Sequence, residues 1–293
     1  MTKCGYVSVV GRPNAGKSSL LNWLVGDKIA MVSHKANATR KRSNIIVMHE
    51  DDQIVFVDTP GLHENEKLLN QFMLDEALKA MGDCDLILFL APVTDKLVHY
   101  ESFLEKNKKN VKHVLLLTKI DNVSNEELLT KMNEYEKYSD KYEAVIPVSI
   151  KKATTYADIL DEVVEHLPEH PYLFDPEIMT TEHLRDIFKE FIRESIFDNI
   201  SDEIPYEADV LINQVEEKDN LDVIKATIIV QKSTQKGMII GKGASAIKRI
   251  GKDARLKIEQ LTGRKAYLEL FVSVKKGWTK NRQGLKELGY DID

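Results

Sequence analysis

The sequence predicts two domains, a doubly wound α/β domain followed by a smaller α+β domain. Three observations support this division of the 293 residues. Apolar runs of parallel-sheet type alternate with helical patterns over residues 1–168. Pro168, Pro171 and Pro176 then lie close together, which predicts a proline-rich linker over residues 169–180. Helices and strands alternate again over residues 181–293, which we predict to be the second domain.

Composition and charge narrow the class of protein. Hydrophobic residues make up 43% and charged residues 30% of the chain, which excludes a wholly disordered or collagen-like protein. The net charge is -6, but the charge is unevenly distributed along the chain. Residues 225–286 form a basic block with 16 Lys and Arg and only 3 Asp and Glu. Such a block predicts a surface for a polyanion. Two cysteines cannot form a disulfide framework, and neither a membrane span nor a secretory signal is visible, so we expect a cytoplasmic protein.

The first domain begins with a strand at Tyr6–Val10 and a helix at Ser18–Val25. A turn over Glu50–Asp52 indicates that the next two strands pair. The remaining strands are predicted at Asn44–Met48, Gln53–Asp58, Leu86–Leu90, Val114–Leu117 and Val145–Val148. Further helices are predicted at Leu68–Met81, Glu126–Tyr138 and Tyr156–Leu167.

The second domain is predicted to begin with a helix at Thr181–Ile200. A strong helix is predicted over Ala244–Leu261. Strands are predicted at Glu207–Val215, Val223–Val230 and Ala266–Val274, and a closing helix at Thr279–Leu288.

A phosphate-binding loop is predicted between the first strand and the first helix. The segment fits G-x-x-x-x-G-K-[ST], in which main-chain N–H groups and the helix N-terminus attract phosphate. Lys17 is expected to reach the β- and γ-phosphates. The loop comprises Gly11, Arg12, Pro13, Asn14, Ala15, Gly16, Lys17 and Ser18, and Ser19 extends its line of N–H groups.

Three oxygen-bearing side chains are predicted to hold Mg²⁺. Ser18 would bind the ion directly, and Asp58, at the end of an apolar strand, would anchor it. Thr39 lies in a polar loop and would join them when a γ-phosphate is present. The residues after Asp58 are Thr59, Pro60, Gly61 and Leu62, and the N–H of Gly61 would meet the γ-phosphate. Lys17, Thr39 and Gly61 are therefore the candidate catalytic residues.

The base contacts predict guanine rather than adenine. Thr118, Lys119, Ile120 and Asp121 follow an apolar strand. The Asp121 carboxylate can accept both N1–H and the 2-amino group of guanine, which adenine does not offer. The usual first residue of this motif is Asn, but the Thr118 hydroxyl can still tie this loop to the phosphate loop. Ser149, Ile150 and Lys151 follow the last strand and would direct an N–H at guanine O6, with Ile150 in place of the usual alanine.

A glycine-containing loop in the basic block predicts an RNA-binding site. The loop resembles the G-x-x-G loop of a KH domain, which clamps about four nucleotides by their backbone. Its residues are Ile240, Gly241, Lys242, Gly243 and Ala244, and the phosphate-facing cations after it are Lys248, Arg249 and Lys252. Ala244 stands where the motif has its second glycine. The resemblance implies the type 2 order, helix–strand–strand–helix–helix–strand. The predicted elements match this order if Ala244–Leu261 breaks into two helices near Gly251.

These motifs together resemble the bacterial Era family of ribosome-assembly GTPases, over the whole chain. The resemblance implies small-subunit (16S) rRNA near its 3′ end and the 30S particle as partners, a monomeric state, and peripheral association with the inner membrane. Asn14 matches an asparagine that can ligate a monovalent cation in similar GTPases, which implies K⁺ beside Mg²⁺. Leu62 cannot orient the attacking water as a glutamine does, so we expect slow intrinsic hydrolysis.

The leading hypothesis is an enzyme and a switch, in which GTP binding and hydrolysis control RNA engagement. A nucleotide-gated RNA chaperone, whose turnover is incidental, is one alternative. A GTPase whose basic domain binds protein or lipid is another. Stimulation of hydrolysis by 30S subunits would distinguish the first alternative, and salt-dependent RNA binding would distinguish the second.

Overall fold

The computed structural model describes residues 2–26, 28–30, 39–62, 68–152, 156–201 and 203–290. The chain divides into two compact units. Of the described residues, the first unit holds those up to Thr181 except residues 68–72, and the second unit holds residues 68–72 and those from Glu182 onward. This boundary falls directly after the predicted proline-rich segment. The two-domain α/β and α+β fold class is therefore confirmed.

The described strands of the first unit form one mixed sheet. They are β1 (Cys4–Val10), β2 (Ser43–His49), β3 (Asp52–Asp58), β4 (Leu86–Pro92), β5 (His113–Thr118) and β6 (Val145–Val148). Their order in the sheet is β2-β3-β1-β4-β5-β6. Strand β2 runs antiparallel to β3, and the other neighbours are parallel. Every residue of β4 is buried, as expected for a central strand covered on both faces.

The helices described in this part of the chain are α1 (Lys17–Val25), α2 (Leu68–Gly82), α3 (Val98–Lys106), α4 (Asn125–Glu136) and α5 (Tyr156–Glu165). The sequence analysis missed α3, which is short and buries Tyr100 and Phe103 against the core. Helix α4 begins at a capping box, because the Ser124 hydroxyl accepts from the Glu127 N–H while the Glu127 carboxylate accepts from the Ser124 N–H.

The predicted linker is attached along an edge of this sheet. The Gln53 side chain, which is fully buried, accepts from the N–H groups of Leu173 and Phe174 at 2.9 and 3.0 Å. The Ile46 N–H donates to the Met179 carbonyl at 2.8 Å, and the Thr180 hydroxyl donates to the Asn44 carbonyl at 2.6 Å. We call residues 169–180 the strap. Its last residues, Met179 and Thr180, extend the pairing of edge strand β2.

The second unit packs helices against one face of a three-stranded sheet. Its described helices are α6 (Leu184–Asn199), α7 (Ile204–Glu207), α8 (Ser233–Ile240), α9 (Ser245–Thr262) and α10 (Arg282–Lys286). Its strands are β7 (Asp209–Lys218), β8 (Leu221–Val230) and β9 (Lys265–Val274), in that order, with β8 and β9 parallel. Alternate strand residues, such as Ile224, Ala226 and Ile228, are buried against the helices.

The break predicted near Gly251 is wrong. Helix α9 is continuous from Ser245 to Thr262, because Gly251 lies in its middle with room for the Leu270 side chain beside it. The break falls instead at the glycine loop, where Gly241, Gly243 and Ala244 have φ of 73°, 58° and 61°. A backbone with positive φ stops an α-helix, so α8 and α9 are separate. The order of helices and strands predicted for the second domain is nevertheless present.

Candidate nucleotide and RNA sites

The phosphate loop lies at the carboxyl edge of the parallel strands, where open α/β sheets place their ligands. Gly16 has φ of 104° and ends the loop, and Lys17 begins α1. The Lys17 ammonium donates to the Gly11 and Arg12 carbonyls, both at 3.2 Å, and the residue is 7% exposed. Burial lowers the pKa of Lys17 to about 8, although nearby Asp58 raises it.

Three consecutive carbonyls of the loop are held by side chains. Arg12 donates to the Pro13 carbonyl at 2.9 Å, and the Lys119 ammonium donates to the Asn14 carbonyl at 2.7 Å. The Thr118 hydroxyl donates to the Ala15 carbonyl at 3.0 Å. This last bond is the tie to the phosphate loop that the sequence predicts for threonine at this position. Because peptide units are planar and trans, fixing a carbonyl also fixes the direction of the next N–H.

Asp95 is a residue of this site that the sequence analysis missed. Its carboxylate, in the loop after β4, accepts two bonds from the Arg12 guanidinium, at 2.5 and 2.6 Å. Such a bidentate pair holds the guanidinium in one orientation and also balances its charge. The sequence analysis could have noticed Asp95 only from its position after a buried parallel strand, because it belongs to no motif. Asp95 therefore anchors the second residue of the phosphate loop.

The three predicted metal ligands lie together. The Ser18 and Thr39 hydroxyls both contact Asp58 Oδ2, at 3.0 and 3.2 Å, and the two hydroxyl oxygens are 3.1 Å apart. Asp58 is 1% exposed, and its other oxygen, Oδ1, has no hydrogen-bond partner in the described part of the chain. A buried carboxylate oxygen without a partner, beside two hydroxyls, fits a Mg²⁺ site of hard oxygen donors.

Magnesium binding is expected to weaken as the pH falls through 6. Burial raises the pKa of Asp58 to about 6, against the opposing effects of Lys17, Ser18 and Thr39. Since only the ionised carboxylate attracts the cation, affinity should fall about tenfold per pH unit below that value. Titration of the GDPNP-loaded protein with Mg²⁺ at pH 5 to 7.5 measures this. The Asp58→Asn variant, which carries no titrating group there, is the control. An equal slope in both proteins would contradict the assignment.

Gly61 lies against the phosphate loop. A Cβ at this position would lie 2.7 Å from the Pro13 nitrogen, so no side chain fits. The next N–H, that of Leu62, donates to the Gly11 carbonyl at 3.2 Å. Thr59 is fully buried, and its hydroxyl donates to the Val9 carbonyl at 2.6 Å. The segment from Asp58 to Leu62 therefore follows the loop closely, although residues 63–67 lie outside the described part of the chain.

The base motifs meet at Asp121. Its Oδ2 accepts from the Lys151 ammonium at 2.8 Å, and its Oδ1 accepts from the Ser149 hydroxyl at 2.9 Å. These two bonds hold the pKa of Asp121 below its usual value, and the bond from Lys151 has the larger effect. An ionised carboxylate is what recognition of guanine requires. Ile120 lies in the turn before Asp121, and Ile150 is partly exposed between Ser149 and Lys151.

The glycine loop of the second unit exposes its cations. Lys242, Lys248, Arg249 and Lys252 are all exposed, and Ile240 is half-buried before the loop. Gly241 cannot accept a side chain, because its Cβ would lie 2.8 Å from the Ala246 nitrogen. Gly243, by contrast, has open space around it. Ala244 takes the left-handed conformation that glycine would take at lower cost.

The fold and these sites define a P-loop GTPase joined to a KH-type RNA-binding domain. Residues 6–119 match the family described as 50S ribosome-binding GTPase, and residues 203–279 match the KH domain family. The chain is 51% identical over 289 residues to GTPase Era of Campylobacter lari, covering 99% of each chain. It is 50% identical to GTPase Era of Campylobacter concisus, covering 98% of this chain and all of that one.

Two solved structures are similar over the full chain. One is a variant of Aquifex aeolicus Era bound to GDP·AlF4⁻, with a TM-score of 0.95, 32% identity and coverage of 99% of this chain and 100% of that one. The other is Era in complex with MgGDPNP and nucleotides 1506–1542 of 16S ribosomal RNA, with the same TM-score and identity and full coverage of both chains. This chain belongs to the Era family, and its enzymatic activity is the hydrolysis of GTP to GDP and phosphate.

Within the residues that the structure describes, no helix is both long enough and apolar enough to cross a membrane.

Proposed function

We propose that this chain couples GTP binding and hydrolysis to binding of 16S rRNA near its 3′ end, in assembly of the 30S subunit. The observation that carries the proposal is the presence in one chain of a guanine-nucleotide site and an exposed cationic KH loop. The full-length similarity to an Era bound to nucleotides 1506–1542 of 16S rRNA supports the choice of RNA.

The nucleotide phosphates would be bound by main-chain N–H groups from Asn14 to Ser19 and by Lys17. The carbonyl contacts of Arg12, Thr118 and Lys119 support this, because they keep the loop in one conformation before the nucleotide arrives. Preorganised donors stabilise the charge of the transition state without the cost of reorganisation. Lys17 would remain charged beside phosphate oxygens, despite its burial.

Ser18, Thr39 and Asp58 would hold Mg²⁺, Ser18 and Thr39 directly and Asp58 through water. The ion would neutralise charge on the β- and γ-phosphates. The Thr39 hydroxyl is already 3.1 Å from the Ser18 hydroxyl, so a small movement would bring it to a shared cation. Gly61, which is held against Pro13, would direct its N–H at the γ-phosphate.

Hydrolysis is expected to be slow without a partner. Leu62, which follows Gly61, has no polar group to orient the attacking water. We further propose K⁺ as a second cation near the phosphates, ligated by Asn14, on the basis of the family resemblance. Asn14 has a left-handed backbone with φ of 62°, and its carbonyl is held by Lys119.

RNA would be bound by the loop from Ile240 to Ala244 and by the start of α9. The backbone of Gly243 is open to solvent, which allows a phosphate to approach it closely. Lys242, Lys248, Arg249 and Lys252 would then neutralise phosphates around the clamp.

The proposal is tested by measuring the affinity of the full chain for RNA of nucleotides 1506–1542, with GDPNP and with GDP. We expect salt-dependent binding that is tighter with GDPNP. The Gly243→Asp variant should lose at least about tenfold in affinity, because a carboxylate would repel the phosphate backbone. Asp tolerates the left-handed backbone, and nothing lies near the added Cβ, so this variant should fold.

Gly277→Asp is the matched control, since Gly277 also has a left-handed backbone and open space around it. It should bind RNA as the unmodified chain does. Equal affinity of the Gly243→Asp and Gly277→Asp variants would contradict the RNA site, and equal affinity with GDPNP and GDP would contradict the switch.

A cytoplasmic location, a monomeric state and peripheral association with the inner membrane remain predictions.

A further inference from the structure

The Arg12 side chain connects two parts of the nucleotide site through all three of its nitrogen atoms. Its Nε and Nη2 donate to the Asp95 carboxylate at 2.5 and 2.6 Å, and its Nη1 donates to the Pro13 carbonyl at 2.9 Å. Because the guanidinium is planar and rigid, the position of the Asp95 carboxylate sets the direction in which Nη1 points. Arg12 therefore transmits the position of Asp95 to Pro13.

Asp95 is itself held in place by the sheet of the first unit. Its N–H donates to the carbonyl of Pro92, the last residue of β4, at 2.8 Å, and its side chain is 6% exposed. The Val93 N–H donates to the carbonyl of Thr118, the last residue of β5, at 2.9 Å. These bonds tie the loop after β4 to two neighbouring strands, so the carboxylate has a fixed position before a nucleotide binds.

Pro13 depends on Arg12 in a way that the next residues of the phosphate loop do not. Proline has no N–H, so its carbonyl is the one main-chain group through which a hydrogen bond can hold it. The carbonyls of Asn14 and Ala15 are held by other side chains, those of Lys119 and Thr118. Loss of the contact between Arg12 and Asp95 would therefore release Pro13 while the later carbonyls stay held.

Pro13 is also the residue against which Gly61 packs. A Cβ at Gly61 would lie 2.7 Å from the Pro13 nitrogen and 2.9 Å from two of its ring carbons, so the ring and the glycine are in close contact. The N–H of Asn14, whose direction follows that of the Pro13 carbonyl, lies at the same end of the loop. The γ-phosphate, which the Gly61 N–H is proposed to meet, would bind at this end.

We propose that Asp95 is a positioning residue that acts through Arg12 and Pro13 on recognition of the γ-phosphate. It contributes to binding of the nucleoside triphosphate and to the transition state of hydrolysis, and it adds little to binding of the diphosphate. This inference rests on the proposed contact between Gly61 and the γ-phosphate and deepens it. It assigns part of the selectivity between the two nucleotide states to a residue outside the phosphate loop.

The test compares Asp95→Asn with the unmodified full chain. Asparagine has the same size, but it carries no charge and only one of its two terminal atoms can accept a hydrogen bond from the guanidinium. Affinity for GDPNP should fall about tenfold, the effect of losing charge-assisted hydrogen bonds, whereas affinity for GDP should change less than about twofold. The single-turnover rate at saturating GTP should also fall about tenfold, because the same donors act on the transition state.

Asp83→Asn is the matched control, because Asp83 forms an ion pair with Lys109, at 3.6 Å, between two side chains that are both mostly exposed. It should leave both affinities and the rate unchanged. Asp95→Glu keeps the carboxylate and should recover most of the GDPNP affinity that Asp95→Asn loses. A residue that only stabilised the fold would lower the two affinities together, so the ratio of GDPNP affinity to GDP affinity separates the two roles.

An equal fall in GDPNP and GDP affinity in Asp95→Asn would overturn the inference, as would an unchanged GDPNP affinity. Arg12→Gln removes the same ion pair from its other side and should shift the ratio in the same direction. It provides the measurement if Asp95→Asn does not fold, which thermal unfolding of the nucleotide-free protein would show. An unchanged ratio in Arg12→Gln would likewise overturn the inference.

Gly61→Ala separates this inference from the proposed function on which it rests. Its added Cβ would push the segment away from Pro13, so it should lose GDPNP affinity and keep GDP affinity. Unchanged GDPNP affinity in Gly61→Ala would contradict the proposed γ-phosphate contact itself. A loss in Gly61→Ala without a loss in Asp95→Asn would overturn the role of Asp95 alone.

Discussion

Replacing Lys17 with alanine should lower the rate of GTP hydrolysis at least about 10²-fold, the effect of removing one preorganised donor from a transition-state site. Lys17 is buried and contacts two loop carbonyls, so it is held where a phosphate oxygen would replace them. The measurement is single-turnover hydrolysis at saturating GTP. Lys108→Ala, which changes an exposed lysine in a surface loop, is the control and should keep full activity.

The same residue offers a second readout that a purely structural lysine would not give. Burial lowers the pKa of Lys17 to about 8, so the side chain is largely neutral above that pH in the empty protein. Phosphate charge favours the ammonium, so nucleotide binding at pH 8.5 should take up a proton. Calorimetry in two buffers of different ionisation enthalpy detects this uptake. Its presence in Lys17→Ala would contradict the assignment, as would unchanged hydrolysis.

Replacing Asp121 with asparagine should reduce GTP affinity about 10²-fold or more, because two charge-assisted hydrogen bonds to guanine are lost. An asparagine amide can instead donate to the 2-oxygen of xanthine, so the variant should gain affinity for xanthine nucleotides. Competition between GTP and XTP for a fluorescent nucleotide measures both. The side chain keeps its size, so the phosphate loop should be undisturbed.

Lys151→Ala is the control for this exchange of specificity. It removes a contact to Asp121 but leaves the carboxylate, so it should retain a preference for GTP over XTP. Retained GTP affinity in Asp121→Asn would show that another residue reads the base.

The nucleotide site was predictable to a large degree because its chemistry depends on short motifs at strand ends. Ser18, Thr39 and Asp58 are distant in sequence, yet the sheet brings their oxygens within 3.2 Å of one another. A partner for the Thr118 hydroxyl could be predicted, because the residue at the start of the guanine motif is expected to donate a hydrogen bond to the phosphate loop. No motif marked Asp95. Its pairing with Arg12 depends on the loop after β4 lying next to the phosphate loop in the folded chain.

The helix break in the second unit was misplaced for a related reason. A glycine within a helical pattern is ambiguous, because it can end a helix or leave room for a neighbour. Gly251 leaves room for a neighbour, the Leu270 side chain. The helix ends instead at the positive φ angles on both sides of Lys242. The prolines predicted a linker over residues 169–180, but nothing in the sequence indicated that a buried glutamine of β3 would hold this segment against the sheet.

The attachment of the strap to β2 also bears on how the protein avoids self-association. Strand β2 lies at an edge of the first sheet, and an edge strand with unpaired main-chain groups is a template for pairing with a strand of another molecule. Here the Ile46 N–H donates to the Met179 carbonyl and the Asn44 carbonyl accepts from the Thr180 hydroxyl, so the strap occupies groups that a foreign strand would need. The same short segment therefore protects this stretch of the sheet against edge-to-edge aggregation.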